Sequence, residues 1–182
     1  MKAIKQSELV AILANRKGNV CAQVLSMTDA KQRKTGNPFG VIHKLSAASV
    51  SIGTDYGAAV NRVATREGNE NAGTFETAPI WGGKGEHLVP NKIIRHTEKG
   101  TLYLYCQASE KQLVAFPPIV RYFAENGEEI TKEQAAPFLV ESAPSAKQAA
   151  FGNDNERTVR MIALANVQAI AMDGETYHLI AD

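Results

Sequence analysis

The sequence predicts a mainly β fold of the α+β type, in which antiparallel hairpins close into a barrel or pack as a sandwich. Three observations carry this. Segments of alternating apolar and polar residues follow one another with turn signals between them, Asp173-Gly174 being the strongest. Strand-like and helix-like segments do not alternate as parallel-sheet units require, so neighbouring strands should pair antiparallel. The chain has 182 residues, 44% of them hydrophobic, enough for one domain over 1–182 with a real core and some appended loops. Closing a small barrel would hide the sheet edges.

Each element follows in order. SELVAILANRKG reads as a short helix: Ser7 can cap it, Leu9, Ile12 and Leu13 share a face, and Gly18 ends it. NVCAQVLSMTD alternates as a strand does, and FGVIHKLSAASVSIG, rich in β-branched residues, should pair with it as a hairpin. DYGAAVNRVATREG changes period and reads as one or two turns of helix or an irregular strand edge. NENAGTFETAPIWGGKGEHLVPN reads as a long loop, of a length that in compact domains usually serves function. KIIRHTEKGTLYLYCQAS is a hairpin turning at Glu98-Lys99-Gly100. PPIVRYFAENGEEITKEQAAPFL reads as a strand, an Asn-Gly turn and a short helix. VESAPSAKQAAFGNDNER is small, polar and turn-rich, a flexible excursion at about 141–156. TVRMIALANVQAIAMDGETYHLI ends the chain as two strands joined by Asp173-Gly174. The total is about seven strands with two or three short helices.

Charge is uneven. The chain carries a formal net charge of +1, but residues 1–66 hold ten Lys/Arg against three acids, a net of +7, so the rest holds −6. Within KQRKTGNPFGVIHK, residues 31–44, five of fourteen residues are cations or potential cations and none is an acid. A basic block set against an acidic one points to an anionic partner for one side of the fold.

Other chemistry is not indicated. There is no phosphate-binding G-x-x-x-x-G-K-[ST] and no dinucleotide G-x-G-x-x-G, and WGGKGEH lacks the flanking strand and helix. His43, His87, His96 and His178 are scattered and read as polar surface residues; no G-x-S-x-G elbow accompanies a serine. Glu128 and Glu129 read as a solvated face. No metal or other cofactor is expected: Cys21 and Cys106 lie far apart with no C-x-x-C or paired His, and read as buried reduced thiols. Reduced thiols fit a cytoplasmic protein. No run of about 18 apolar residues predicts a membrane span, and the first residues lack the apolar stretch of a secretory signal.

What remains is basic and aromatic. Lys31, Arg33 and Lys34 precede a Thr-Gly-Asn-Pro turn containing Asn37; Phe39 and Lys44 follow it. Tyr56, Arg62 and Arg66 come next, then Trp81 and Lys84 in the long loop, and Arg95, Tyr103 and Tyr105 on the hairpin. Single-stranded nucleic acid is held by such a set: cations track phosphates and flat rings stack on bases without reading them. The plainer alternatives stand beside it. Tyr103 and Tyr105, two apart, share a face that can be the core; Phe39 can staple the hairpin to the core; the 31–34 cations can serve solubility alone.

RKTGNPF with the β-rich run after it, DYGAAVNRVATREG, the F-x-x-x-P-x-W-G pattern of Phe75 to Gly82, and LANVQAIAMDGETYHLI together resemble a family of small bacteriophage proteins. The likeness spans roughly residues 7–180. It implies an antiparallel OB-like barrel with long loops and two or three short helices, encoded near phage replication genes and binding single-stranded DNA. It carries Arg33, Lys34, Thr35, Gly36, Asn37 and Phe39, then Asn61, Arg62 and Arg66, and Trp81. One departure matters: replicative single-strand binders often end in an acidic tail, whereas this chain ends in a predicted strand and has its acids at 125–141.

The expected function is therefore non-enzymatic, sequence-tolerant binding of single-stranded DNA, with RNA as the second candidate strand, in replication or recombination in the cytoplasm of the phage's bacterial host. Replication proteins and a second copy of the chain are further partners under this reading. One alternative is an accessory protein that binds a host or replication protein through its acidic 125–141 region. Another is a nuclease with carboxylates among Asp29, Asp55, Glu67 and Glu70.

Overall fold

The computed structural model describes residues 2–31, 35–53, 75–77, 92–96, 99–109, 115–140 and 159–182. The protein is mainly β: among the described residues, eleven strands belong to one sheet. In chain order they are β1 (Lys2–Lys5), β2 (Val20–Asp29), β3 (His43–Ile52), β4 (Phe75–Thr77), β5 (Ile93–His96), β6 (Leu102–Ala108), β7 (Val120–Phe123), β8 (Glu129–Ile130), β9 (Val159–Ala163), β10 (Val167–Met172) and β11 (Glu175–Ile180). Helix α1 (Gln6–Ala14) follows β1, and α2 (Lys132–Ala135) follows β8.

The β2/β3 hairpin is the spine. All ten residues of each strand are paired, from Val20 opposite Ile52 to Asp29 opposite His43. Alternation sends Val20, Ala22 and Val24, with Val50 and Ile52, to one face, where all five are buried. Helix α1 lies in the same core through Leu9, Val10 and Leu13, together with Ile93, Leu104, Ile170 and Met172. Cys106 faces this core and is buried, whereas Cys21 faces the opposite side and is only half-buried, since Cys106 pairs with Ile52 and Cys21 with Ser51; the two form no disulfide.

Two strands share the other edge of β3. Its first half, His43 to Ser46, pairs with β7, and its last residues, Val50 to Ile52, pair with β6. The segment between β6 and β7 is tied down by buried Gln23, whose Nε2 donates to Phe116 O at 2.9 Å and whose Oε1 accepts from Phe116 N at 2.6 Å. One side-chain amide thus replaces a strand neighbour at that point.

The sheet is curled. Strand β9 lies against β6, and β10 against β2, so four inter-strand steps separate them through β6, β3 and β2. On a flat sheet that is roughly 19 Å. Only a 3-10 turn, Leu164–Asn166, joins them, and four residue steps reach at most about 14 Å. The sheet must bend to bring β9 towards β10, and Leu164, fully buried, fills the bend.

Several expectations change. The hydrogen-bonded path runs from β1 to β4 without closing, so the sheet is open rather than a closed barrel among the described residues. It is also mixed, because β1 pairs with β11 in parallel. Eleven strands replace about seven: β1 and the two-residue β8 carry too few residues to show a period, β4 lies inside the supposed loop, and the first of the two closing strands breaks into β9 and β10. Ser7 does not precede α1 but sits in its first turn, where its N and Oγ donate to Asp182 Oδ1 at 3.3 and 3.1 Å. The reciprocal contact comes from Glu8, whose carboxylate accepts from Lys5 N at 2.7 Å. The supposed helix at 55–68 and the excursion at 141–156 lie outside the described residues.

Candidate nucleic-acid interface

The basic loop crowns the β2/β3 hairpin. Its base is closed by Ala30 N donating to Ile42 O at 2.7 Å. Lys31, Thr35, Gly36 and Pro38 are exposed. Asn37 shapes the turn itself: its Oδ1 accepts from Phe39 N at 2.9 Å and its Nδ2 donates to Gly40 O at 3.0 Å. This is the Asx-turn chemistry that makes Asn common in loops. The Asn37 side chain is therefore engaged within its own loop.

A second small core braces the loop. Ile42, Tyr122, Ala124, Ile130 and Ala135 are buried together, with Ala30, Phe39, Phe138 and Leu139 packed against them. The Phe39 ring meets Phe138 edge-on, centroids 6.0 Å apart, a favoured aromatic geometry. Backbone bonds add to this: Glu125 N donates to Phe39 O at 3.1 Å, and Val140 N to Lys31 O at 2.9 Å. Gly40, at φ +68°, has no side chain to collide with Glu125. Phe39 thus staples the hairpin to this second core, half-buried, as its plainer reading had it.

The two regions singled out by charge are one structural unit. The β7–β8 turn and α2, which carry the acidic stretch, pack under the basic loop. Glu125, Glu128 and Glu133 are exposed there. Glu129 is not an idle acid: its carboxylate takes Arg121 Nε at 2.8 Å and Nη2 at 2.5 Å. That bidentate bond holds the Glu129 carboxyl below its ordinary pKa and the Arg121 guanidinium above its own. On β2 and β3, Asp29 Oδ1 lies 2.7 Å from His43 Nδ1.

The other expected site residues are distributed. Lys44 is half-buried on β3 between Thr28 and Tyr122. Arg95, also half-buried, lies on β5 opposite Leu102. Strands β3 and β5 follow one another along the same edge of β6, so Arg95 sits far beyond the end of β3 remote from the loop. From His43 to the level of Arg95 is thirteen residue steps, roughly 40 Å of strand. Tyr105 is fully buried and belongs to the core; Tyr103 is half-buried. Arg33, Lys34, Tyr56, Arg62, Arg66, Trp81 and Lys84 lie outside the described residues. Sequence reasoning missed Arg121 and Phe123. Their signal is VRYF, a cation and a ring two apart, inside a segment that by itself reads only as a strand leading into the Asn-Gly turn.

Among the described residues no group of three or more His, Cys, Asp or Glu side chains could hold a metal ion, and no helix is long and apolar enough to cross a membrane. Fold and loop define a class: a mainly β protein with a curled, open sheet and a braced basic loop at one end. Compared with protein-family models, with curated proteins and with solved structures, the chain matches none of them.

Proposed function

We propose that this protein binds single-stranded DNA without regard to sequence, as a non-enzymatic component of phage-type replication or recombination in the bacterial cytoplasm. The observation that carries the reading is the basic loop: a ten-rung hairpin lifts an acid-free, cation-rich turn to the end of the sheet, and a second core fixes its base. The curl of the sheet supports the OB-like part of the reading.

Fluorescence anisotropy of a labelled single strand of about thirty nucleotides, titrated at low and moderate salt, tests it; this length offers about two or more OB-sized sites. Binding that weakens with salt is the expected result. Absence of binding at low salt would overturn the reading.

One observation favours a second reading, an accessory protein bound to a protein partner through 125–141: Glu125, Glu128 and Glu133 are exposed on one module. Under that reading, lysines at these three positions abolish capture of a replication protein and the chain ignores DNA.

A further inference from the structure

A row of side chains beside the loop has a different chemistry. Asp29 lies opposite His43, His43 opposite Phe123, and Phe123 opposite Glu129. Directly opposed residues share a face, so these four form one line across β2, β3, β7 and β8, roughly 14 Å long at the usual strand spacing. Alternation puts the line on the face opposite to buried Val24, Val50 and Tyr122. Every member is at least partly exposed.

Both acids at the ends of the line are engaged. Asp29 holds His43 at 2.7 Å. Glu129 holds Arg121 through two bonds, and the Arg121 guanidinium lies over the Phe123 ring with its Cζ 5.3 Å from the centroid. Between the two acids the line therefore holds two flat groups, an imidazole and a phenyl, with the Arg121 guanidinium lying over the phenyl; the imidazole and the guanidinium are each braced by a carboxylate. Both carboxylates are already bonded here, Glu129 to the Arg121 guanidinium and Asp29 to the His43 imidazole. A phosphate gains little at such a place. A neutral flat ring gains stacking on the outer face of the Arg121–Phe123 pair and contact with the His43 imidazole beside it.

We propose that His43, Phe123 and Arg121 form a stacking platform for an unpaired nucleobase of the strand whose phosphates the adjoining basic loop holds. The inference rests on the single-strand reading above and adds the base contact to it. Continuity supports it, because the loop starts at residue 30 and returns at residue 42, one residue from each strand end of the row. It also supplies a partly exposed ring outside the second core, where Phe39 is packed on Phe138.

The test compares the wild type with Phe123→Ala and Phe123→Trp by anisotropy, over a salt series, on a thirty-nucleotide single strand and on an abasic strand of equal length. Phe123→Ala is expected to weaken binding to the normal strand about ten- to a hundred-fold. The slope of log affinity against log salt should not change, Phe123→Trp should restore affinity, and the abasic strand should bind all three proteins alike. If the wild type binds and Phe123→Ala binds equally well, the platform is wrong and the phosphate reading stands. An equal loss on the abasic strand also overturns the platform, since it marks a change of fold. If the wild type binds neither strand, both readings fall.

Discussion

Lys92 is a charged side chain in a core, 5% exposed. Its ammonium donates to Leu13 O at 3.0 Å and to Arg16 O, the carbonyls at and just past the end of α1. A cation there satisfies orphan acceptors and meets the negative end of the helix dipole. Burial, and after it the neighbouring Arg16, lower its pKa from the usual 10.5. The sign follows: just below 10.5 the unfolded chain binds more protons than the folded one, so the Lys92 contribution to stability rises as pH rises through that window. Lys92→Met strands the carbonyls and should lower stability by about 1–3 kcal/mol at neutral pH. In chemical denaturation at a series of pH values, the variant should also lose the alkaline rise. Gly53 belongs to the same site. At φ +97°, an added Cβ would stand 2.9 Å from Lys92 Cγ, so Gly53→Ala should lower the melting temperature measurably. None of this is legible in the sequence: Lys92 opens a segment that reads as a hairpin, and its partners lie 79 and 76 residues away. Asn37 and Ser7 teach the same lesson, since polar side chains choose among partners that only the fold brings near.

At the scale of elements, the second core decides how firmly the basic loop is held. Phe138 lies on the 3-10 turn after α2, and α2 is itself capped by Thr131, whose Oγ1 accepts from Gln134 N at 3.1 Å. Phe138→Ala should cost about 1–3 kcal/mol, less than a fully buried Phe because the ring is only partly covered. Hydrogen exchange is the right measurement. Amides at 39–42 and 122–130 should exchange faster, while those of β2 and β10, in the main core, keep their protection. Uniform acceleration across both sets would show that the two cores are one cooperative unit. The elements that could be read beforehand are those with their own local signal: the β2/β3 alternation, the Asn126-Gly127 and Asp173-Gly174 turns, and the capped helix at 131–135. Strands β1, β4 and β8, of four, three and two residues, show no period and exist through their partners.

For the whole molecule, curl and charge matter together. The open sheet keeps its α1 side for the core and leaves the face carrying Phe123 partly exposed near the basic loop. Exposed acids on the β7–β8 turn sit close by, so under the proposed function a polyanion drawn to the loop would be repelled from the turn. A duplex, with its bases stacked inward, should bind more weakly than a single strand of equal length at equal salt, as a competition titration would show. The asymmetry of charge was visible in the sequence. That its two halves meet in one module was not, because nothing local links residues 31–42 to 122–140.

The central claim is that the loop neutralises phosphates of a single strand. The measurement that reaches it most directly is the salt dependence of single-strand affinity for the wild type and for the Arg33→Ala, Lys34→Ala double variant. Each phosphate contact on a single strand contributes about −0.7 to the slope of log affinity against log salt, so losing two should make the slope shallower by about 1.4. A wild type that binds with an unchanged slope in the variant, or that does not bind at low salt, would contradict the account.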